Sequence, residues 1–390
     1  MTAAGRASSG SVRVLHVITG LEVGGTETAL LRLLRAWGNL GIASAVLTLR
    51  SGGALRPAVE ALGVPVASAH LHTAPRPAAL ARTVRYVRAF APHVIQGWLV
   101  HGNLAALAAR QVTPRRQRRV TPVLWGVRAG LADLGNEPRA TRAALRLSAR
   151  LAPSATFVLY NAVRSAQEHE AIGYPADRRV IIPNGFDVER FRPDPGARSA
   201  IRAELGLEAD APLVGLLARD HPQKDLPTFL RAARRVAAAR PAVRFVLAGW
   251  GVDDGNARLS SLIRELELVD RVRLVGVRDD TARLLAALDV ATLCSRTEAF
   301  QNVVGEAMAC GVAPVVTDVG DVRTLVGDVG TVVPVGHDDA LAAAWLRHLD
   351  WSPQERCRVA TAARARIVER FTMPVVAARY ARLYREVGTC

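Results

Sequence analysis

The sequence predicts an α/β protein with two doubly wound domains, each built on a parallel sheet. Short β-branched runs alternate with amphipathic segments along most of the 390 residues, and a stretch rich in Pro and Gly at 181–200 interrupts this alternation once before it restarts. Strands that alternate with helices form βαβ units. The length also exceeds one ordinary core, so two domains of about 180–200 residues are expected.

The first series of elements begins with VRVLHVITG at 12–20, which is typical of a buried parallel strand. A glycine loop and an amphipathic helix follow within 21–41, and IASAVLTLR at 42–50 is the next strand. The series continues with helices around 78–90, 103–111 and 139–151, and with strands at 93–98, 121–128 and 155–162.

The second series follows the same alternation. Its predicted strands lie at 211–220, 243–251, 272–277, 290–295, 313–318 and 330–335, and its helices at 227–240, 257–268, 280–288, 302–310, 338–349 and 353–370, with a short segment at 321–326 and a terminal helix at 371–387. We therefore expect one domain at 1–190 and another at 191–373, with a helix from about 374 to 390 returning to the first. Ligands of such sheets bind beyond the carboxyl ends of the strands, so a site in the cleft between two facing sheets is expected.

Positive charge is concentrated in the first half of the chain. Of the 51 basic residues, 50 are Arg and one is Lys224; residues 1–190 hold 24 Arg against 10 acids, and residues 191–390 hold 27 basic residues against 25 acids. A basic half of this kind suits nucleic acid, an anionic membrane or an acidic substrate. The alternative is solvated arginine in an arginine-rich protein.

Targeting and redox signals point to the cytoplasm. No apolar run reaches the roughly 18–20 residues that span a bilayer, and the first eleven residues lack the apolar stretch of a signal peptide. The four cysteines (Cys294, Cys310, Cys357 and Cys390) show no CxxC spacing. Reduced thiols in a cytoplasmic protein are the simplest interpretation.

The richest candidate stretch is SRTEAFQNVVGEAMACGVAPVVTDVGD at 295–321. Glu298 follows a strand, and Glu306 lies on a helix that begins near Asn302. A helix N-terminus attracts anions such as phosphate, a carboxylate one turn further along can bind a ribose diol, and Glu298 can bind sugar hydroxyls. The alternative for Glu306 is an ordinary surface residue, but its small and apolar neighbours make an unpaired acid there costly.

Two cations follow the strand LVGLLAR of the second series. Arg219 and Lys224 lie in the loop before the next helix, where they can clamp a pyrophosphate. Arginine offers a planar fork, whereas lysine is a compact point charge that fits where a guanidinium is too wide. The alternative is that the single lysine survives by chance.

These stretches resemble the retaining glycosyltransferases of family 4, which have the GT-B fold of two facing Rossmann-like domains. Glu298 and Glu306 match the E-x7-E motif of that family, and Arg219 and Lys224 match its Arg…Lys pair. The likeness covers essentially residues 12–387 and extends to further blocks at 21–33, 161–193, 246–253 and 272–280.

The resemblance implies a role for each matching residue. Arg219 and Lys224 would stabilise the departing nucleoside diphosphate, and Glu298 would contact the donor sugar. His101, in GWLVHGNLAAL, would lie near that sugar, or it is an ordinary histidine at a helix N-terminus. The remaining expected donor-binding residues are Glu306, Asn302, Val303, Val304, Val277, Gly249 and Phe300, and the expected acceptor or phosphate loop comprises Gly24, Gly25, Thr26, Arg128 and Asn184.

The resemblance further implies transfer of a hexosyl-type sugar with retention, without a metal or other cofactor. The expected donor is a UDP- or GDP-sugar, and the expected acceptor is a glycan or lipid-linked glycan of the cell envelope or an exopolysaccharide. Front-face attack is favoured over a covalent intermediate on Glu298. The basic first half suits peripheral binding to the anionic inner face of the cytoplasmic membrane, and no nucleic-acid partner is expected.

Some features depart from this pattern. Ala299-Phe300-Gln301 replaces the usual Gly-Phe-Pro, which predicts a different recognition of the sugar. A phosphorylase or sugar-nucleotide epimerase of the same fold is an alternative function. A nicotinamide dehydrogenase would need GxGxxG after the first strand, which ITGLEVGGTE does not provide. A nucleic-acid-binding protein would use RRQRR at 115–119, but that segment lacks interleaved aromatic residues.

Overall fold

The chain divides into two compact units. The computed structural model describes residues 11–70, 77–114, 116, 120–131 and 139–388. The first unit comprises Met1–Gly185 and Met373–Cys390, and the second comprises Phe186–Thr372. The boundary therefore falls five residues before the one that the sequence suggested. Of the predicted features, the leader at 1–10, Cys390, and RRQRR apart from Arg116 lie outside the described residues.

The described part of the first unit forms a seven-stranded, all-parallel sheet in the order β3-β2-β1-β4-β5-β6-β7. Up to the unit boundary, its elements are β1 Val12–Ile18, α1 Gly25–Trp37, β2 Ile42–Thr48, α2 Arg56–Glu60, β3 Val66–Ser68, α3 Pro77–Phe90, β4 Val94–Trp98, α4 Leu99–Val112, β5 Val123–Val127, α5 Arg139–Leu151, β6 Phe157–Tyr160, α6 Val163–Glu170 and β7 Arg179–Ile181.

The second unit repeats the pattern with a six-stranded parallel sheet in the order β10-β9-β8-β11-β12-β13. Its elements are α7 Pro195–Glu204, β8 Leu213–Leu217, α8 Leu226–Ala239, β9 Arg244–Ala248, α9 Ala257–Glu265, β10 Val272–Leu274, α10 Thr281–Ala286, β11 Val290–Leu293, α11 Asn302–Ala309, β12 Pro314–Thr317, α12 Val322–Val326, β13 Thr331–Val333, α13 Asp338–Leu349 and α14 Pro353–Arg370.

The C-terminal helix, α15 Met373–Gly388, returns to the first unit as the sequence predicted. The indole of Trp37 on α1 donates to the carbonyl oxygen of Ala377 at 3.2 Å, and the Tyr384 hydroxyl bonds the side chain of Gln96 on β4. Tyr380 and Tyr384 are buried. The helix therefore completes one face of the first core.

Each sheet is covered by an apolar layer on both faces, which explains why its strands are continuous apolar runs without alternation. In the first unit, Trp37 and Tyr384 pack on one face and Trp125 on the other. In the second unit, Met308 and Ile367 cover one face, while a cluster of Phe229, Phe245 and Trp345 covers the other.

The differences from the predicted elements are local. The stretch at 181–200 begins in the last residue of β7 and ends inside α7, so it is not all linker. Helix α4 begins at Leu99, four residues before the predicted start, and α2, β3, α6, β7 and α7 were not predicted. Across the described ranges, no helix is both long enough and apolar enough to cross a bilayer.

Candidate functional site

The order of the second sheet reverses between β8 and β11. Strands β9 and β10 lie on one side of this point and β12 and β13 on the other. In open parallel sheets such a reversal opens a crevice at the carboxyl ends of the strands, where ligands bind. The loop after β8 carries Arg219 and Lys224, and the loop after β11 carries Glu298. Three predicted residues thus flank the reversal.

Lys224 and Glu298 form an ion pair at this reversal. The ammonium Nζ of Lys224 contacts Oε1 of Glu298, and the Ser295 hydroxyl donates to the same oxygen at 2.9 Å. The two charged side chains are only 20% and 13% exposed. Their attraction is therefore less screened by water than that of a surface pair.

Backbone and side-chain bonds join the two loops and hold this pair in place. The Arg296 amide donates to the Gln223 carbonyl at 2.8 Å, and the Gln223 side-chain amide donates to the Thr297 carbonyl at 2.7 Å. The buried thiol of Cys294 donates to the Lys224 carbonyl at 3.2 Å, and burial raises the pKa of this thiol. These bonds fix the backbone on either side of Lys224 against the loop after β11.

Asp225 completes the joint between the loops. Its φ of 47° and ψ of 48° are left-handed, a conformation that Asp tolerates better than most residues. Its carboxylate is buried and accepts from Nε of Arg296 at 3.1 Å. The chain therefore turns sharply after Lys224 and enters α8 directly.

Helix α11 begins at Asn302, beside the Glu298 loop, and carries Glu306 one turn further along. Its N-cap residue, Gln301, provides no side-chain hydrogen bond to the first turn. Val303 is half-buried and Val304 is buried. Burial, together with the negative charge of Glu306, raises the pKa of Cys310 to about 12. Glu306 thus lies on the same helix as the backbone groups expected to receive a phosphate.

Two buried side chains anchor the Ala299-Phe300-Gln301 segment to the core of the second unit. Phe300 was expected to bind the donor, but its ring is buried and packs on Phe186 and Phe371 at centroid distances of 6.2 and 6.4 Å. Gln301 is also buried, and its amide donates to the Val319 carbonyl at 2.8 Å. These two buried side chains hold the loop that carries Glu298.

The neighbouring loops lie at the same edge of the sheet. Gly249, after β9, has a φ of 146°, and a Cβ there would overlap the Ala218 carbonyl and lie 3.0 Å from the Arg219 amide. Any side chain at this position would therefore displace the Arg219 loop. Arg219 itself is exposed and makes no ion pair with the described residues, and Val277, after β10, is 69% exposed.

The first sheet reverses between β1 and β4, and its predicted residues lie at that edge. Gly24, Gly25 and Thr26 follow β1, and His101 lies in the first turn of α4 after β4. Gly24 caps α1 without a side-chain bond, and a Cβ on Gly25 would meet nothing within 4 Å. Thr26 is buried. The start of α1 is thus open at Gly25.

His101 follows a tight turn. Leu99, the first residue of α4, has a φ of 62°, which costs a bulky residue roughly 1–3 kcal/mol. The strain coincides with a close approach, because a Cβ on Gly102 would lie 2.5 Å from the Val17 carbonyl oxygen on β1. The side chain of His101 is left exposed at the carboxyl edge of the sheet.

Arg128 and Asn184 contact each other. The Arg128 guanidinium donates to the side chain of Asn184 and, at 3.4 Å, to the Tyr380 hydroxyl, and it lies 5.5 Å from the centre of the Trp98 ring. Burial raises the pKa of Tyr380, and the positive Arg128 partly opposes this rise. Arg128 therefore ties β5, α15 and the segment that precedes the second unit.

Two family models match the chain. "Glycosyl transferase 4-like domain" matches residues 24–185, and "Glycosyl transferases group 1" matches residues 211–350. A D-inositol 3-phosphate glycosyltransferase 2 from Catenulispora acidiphila is 31% identical, over 81% of this chain and 79% of that relative. The chain belongs to the family 4 glycosyltransferases.

Other relatives of this family 4 chain are matched over shorter regions. A D-inositol 3-phosphate glycosyltransferase from Thermobispora bispora is 34% identical over 58% of this chain, and one from Thermomonospora curvata is 34% identical over 53%. The chain spans 55% and 51% of these two relatives, about half of their length.

Solved structures show the GT-B fold. The Anabaena protein HepE, in complex with UDP and glucose, superposes with a TM-score of 0.81 over 96% of this chain and all of HepE, at 23% identity. The sucrose-phosphate synthase of Thermosynechococcus elongatus superposes with a TM-score of 0.72 over 97% of this chain and 99% of the synthase, at 21% identity. Both units of this family 4 chain are thus Rossmann-like.

Several residues that the sequence did not single out hold the candidate site of this family 4 chain in place. Gln223 and Ser295 hold the Lys224–Glu298 pair, and the buried Asn103 on α4 bonds both backbone groups of Gly126 at 3.0 and 3.2 Å. Asn103 in the largely apolar GWLVHGNLAAL was a signal, because a buried amide needs partners. In the described part of the chain, no three His, Cys, Asp or Glu side chains are grouped to hold a metal ion.

Proposed function

We propose that this protein transfers a hexosyl-type sugar from a UDP- or GDP-sugar to an acceptor hydroxyl and retains the anomeric configuration. The observation that carries the proposal is the Lys224–Glu298 ion pair at the reversal of the second sheet, beside the start of α11. Membership of family 4 supports it, as does the existence of HepE structures with UDP and with UDP-glucose.

The second unit would bind the donor. Arg219 and Lys224 supply two positive charges at the carboxyl end of β8, and the first turn of α11 supplies backbone N–H groups. Glu306, one turn along α11, would accept the ribose hydroxyls. The backbone near the exposed Val277 would contact the base. A nucleoside diphosphate is thus met by cations at its phosphates and by a carboxylate at its ribose.

Charge develops on the diphosphate as the glycosidic bond breaks, and fixed cations that stabilise it lower the barrier. Such a donor is worth roughly 2.7–4 kcal/mol when it is already in position. The bonds between the two loops provide this positioning for Lys224. Arg219 and Lys224 would then replace a divalent metal, and no metal or other cofactor is part of the proposal.

Glu298 is proposed to bind hydroxyls of the donor sugar. Its Oε1 already accepts from Lys224 and Ser295, which stabilises the carboxylate charge and weakens it as a nucleophile. This supports attack by the acceptor on the face from which the diphosphate leaves. By the family resemblance, His101 would contact the transferred sugar.

The first unit would bind the acceptor, with the loop at Gly24 and Gly25 and with Arg128. Several relatives are named for D-inositol 3-phosphate, so a phosphorylated polyol belongs among the acceptors to test, beside lipid-linked glycans of the envelope. The unit carries 26 Arg against nine acids, a formal charge of +17. Such a surface suits an acceptor presented at an anionic membrane on its cytoplasmic side.

Helix α5 is the clearest candidate for that membrane contact. Arg139, Arg142, Arg146 and Arg150 recur along it, the helix holds no acidic residue, and none of the four makes an ion pair with the described residues. Leu147 on the same helix is 48% exposed. Ile172, which follows α6 and lines a cavity together with Arg142, Arg146 and Arg150, is 39% exposed. An exposed basic and apolar helix binds anionic interfaces.

A nucleotide screen tests the donor site. We expect UDP or GDP, and the matching nucleotide-sugar, to raise the melting temperature of the wild type. We expect Glu306→Ala to weaken that binding about tenfold, because hydrogen bonds to a charged group are worth about 1.5–3 kcal/mol. Glu369→Ala, on the exposed face of α14, is the matched control. Equal nucleotide affinity of wild type and Glu306→Ala would remove Glu306 from the site.

The stereochemistry is tested separately. With the donor that the screen identifies, the product formed on a polyol phosphate or glycan acceptor should keep the anomeric configuration of the donor by proton NMR. An inverted product would refute the proposed mechanism, and a free sugar or an epimerised nucleotide-sugar as the main product would assign another reaction to the same fold.

A further inference from the structure

A second cationic site lies in the second unit, at the amino ends of the sheet strands. Lys224 lies at the carboxyl ends of the same sheet. Asp289 directly precedes β11, whereas the Glu298 loop follows it, so the four residues of that strand, roughly 13 Å, separate the two places. Here a cavity of about 480 Å³ is lined by Arg198, Asp289, Trp351, Arg356 and Cys357, among others. Nothing in the proposed sugar transfer uses these residues.

One carboxylate holds three guanidinium groups around this cavity. Oδ1 of Asp289 accepts from Arg198 at 2.6 Å and from Arg356 at 2.8 Å, and Oδ2 accepts from Arg202 at 2.7 Å and from the Leu213 amide at 2.8 Å. Asp289 is 3% exposed. Its four acceptor positions are filled, and the cluster keeps two uncompensated positive charges.

The three arginines are not equivalent. Arg202 is fully buried and also donates to the carbonyls of Ala211, Arg198 and Ala287, so its donors are spent inside the protein. The side chains of Arg198 and Arg356 are 40% and 43% exposed. Each guanidinium donates one N–H to Asp289 and makes no other hydrogen bond with the described residues. Their remaining N–H groups are available to a ligand.

The electrostatics favour an anion at this place. Burial lowers the pKa of Arg202, and the positive charges of Arg198 and Arg356 lower it further, whereas Asp289 opposes this. Positive charge is thus in excess at the cavity. Arginine forks match the geometry of phosphate, and the volume suits a phosphate with a small organic group. Trp351, whose ring stacks on His348 at 3.9 Å between centroids, offers that group an apolar wall.

We propose that the cavity lined by Arg198, Arg356 and Trp351 binds a phosphate group, as inorganic phosphate or as a small phosphate ester. This site is distinct from the donor site, and it does not depend on the proposed sugar transfer. Gly311 lines the same cavity and follows the helix that carries Glu306, so the two sites adjoin opposite ends of α11.

Cys357 provides a local readout. It lines the cavity and is exposed, whereas Cys294 and Cys310 are buried with raised thiol pKa values. In a Cys390→Ser background, the neutral reagent N-ethylmaleimide should therefore modify Cys357 selectively. At ten times its Kd, a ligand that covers the thiol should slow alkylation about tenfold. Potassium chloride at the same ionic strength is the control.

Two probes distinguish the sources of phosphate. Equal protection by inorganic phosphate and by AMP at the same concentration would identify the phosphate alone as the ligand. Protection by AMP at much lower concentration would show that the organic part contributes on Trp351. An absence of saturable protection by both probes would overturn the proposal.

Variants tie the protection to this cavity. Arg198→Gln/Arg356→Gln should abolish it, and Arg358→Gln, which removes a neighbouring charge outside the lining, should keep it. If the double variant does not fold, Ala360→Glu places a carboxylate in the lining and leaves all three arginines. Protection that survives both the double variant and Ala360→Glu would refute the proposal, and so would protection lost in Lys224→Arg, since the anion would then occupy the other edge.

Discussion

The two units share a strand order and differ in how they use arginine. The first carries 26 Arg against nine acids, and the second carries 25 basic residues against 26 acids, a formal charge of −1. Nine acids can neutralise at most nine of the first unit's arginines. In the second unit, thirteen of the 25 basic side chains form ion pairs.

This difference separates two roles of the same residue type. In the second unit a cation is placed individually, as Arg202 is on Asp289 or Lys224 on Glu298. In the first unit the large excess of arginine over acid creates a net positive field, which attracts anionic surfaces. Single substitutions should therefore have large effects in the second unit and small ones in the first.

The largest effect is expected at Asp289. Asp289→Ala leaves Arg202 buried beside two other cations, so we expect a loss of about 3–5 kcal/mol in the free energy of unfolding. Urea unfolding followed by tryptophan fluorescence measures it. Asp350→Ala, which breaks an exposed pair with Arg240, should cost less than about 1 kcal/mol. Similar losses of unfolding free energy for Asp289→Ala and Asp350→Ala would show that Asp289 is no more important to stability than an exposed carboxylate.

Lys224→Arg comes next. We expect the broader guanidinium to place its charge at a different point beside Glu298, so turnover should fall about 100-fold, or about 3 kcal/mol in transition-state stabilisation. Because the Lys224 side chain reaches the surface, the melting temperature should change little. Initial rates with the donor found in the screen measure it. Arg323→Lys, in an exposed pair with Asp318, should keep wild-type rates. A Lys224→Arg enzyme with near-normal turnover would contradict the assigned role.

The first unit also contains individually placed groups, among them His16. It is fully buried against Trp37, and burial lowers its pKa to about 3. Because the folded state holds it neutral while the unfolded state protonates below pH 6.5, stability falls as the pH drops from 6.5 towards 3. Between pH 6.5 and 5 this amounts to about 2 kcal/mol.

His16→Gln should remove that part of the acid sensitivity, measured by urea unfolding at pH 7 and pH 5. His337→Gln, at a histidine that is 60% exposed, is the control and should leave the difference between the two pH values unchanged. An unaltered pH dependence in His16→Gln would show that other groups dominate acid unfolding.

The smallest effect is expected on α5. Arg146→Gln should weaken binding to vesicles with anionic lipid by about 1 kcal/mol, or fivefold, with a reduced salt dependence. Arg323→Gln in the second unit should leave vesicle binding unchanged, because that arginine is paired. A tenfold or greater loss from Arg146→Gln would instead indicate a specific headgroup site, and no loss would remove α5 from the contact.

The sequence predicted the features that depend on local pattern. Both sheets follow from apolar runs, and the loops after β8 and β11 follow from the rule for strand ends. The edge strands β3 and β7 were missed, although β10 and β13, which are equally short, were predicted. β10 and β13 lie in the longer apolar runs VRLVGV and GTVVPV, whereas β3 is only Val66-Ala67-Ser68 and β7 runs into the Pro183-Asn184-Gly185 segment that indicated a linker. Leu99, where α4 begins, has a positive φ, and Gly102 lies close to β1; the local sequence signals neither feature, so the start of α4 was missed.

The candidate site shows the same division. The sequence identified its charged residues, but it did not identify the residues with which they form hydrogen bonds and ion pairs. Lys224 and Glu298 are 74 residues apart, and Gln223 acquires its role only when the two loops meet, whereas the bond of Ser295 to Glu298 is local. Phe300 was predicted as a donor-binding residue from its place in the motif, and only the fold shows that its side chain is buried.

The partly buried ammonium of Lys224 has a practical consequence. Since it is the chain's one lysine side chain, reductive methylation with carbon-13 would add a dimethyl label there and at the α-amine. Dimethylation preserves the charge, and the two labelled amines differ in chemical type, one on an α-carbon and one at the end of a side chain. An NMR spectrum of the whole enzyme would thus contain a single side-chain resonance from the joint between two loops, and its shift would report each molecule that enters.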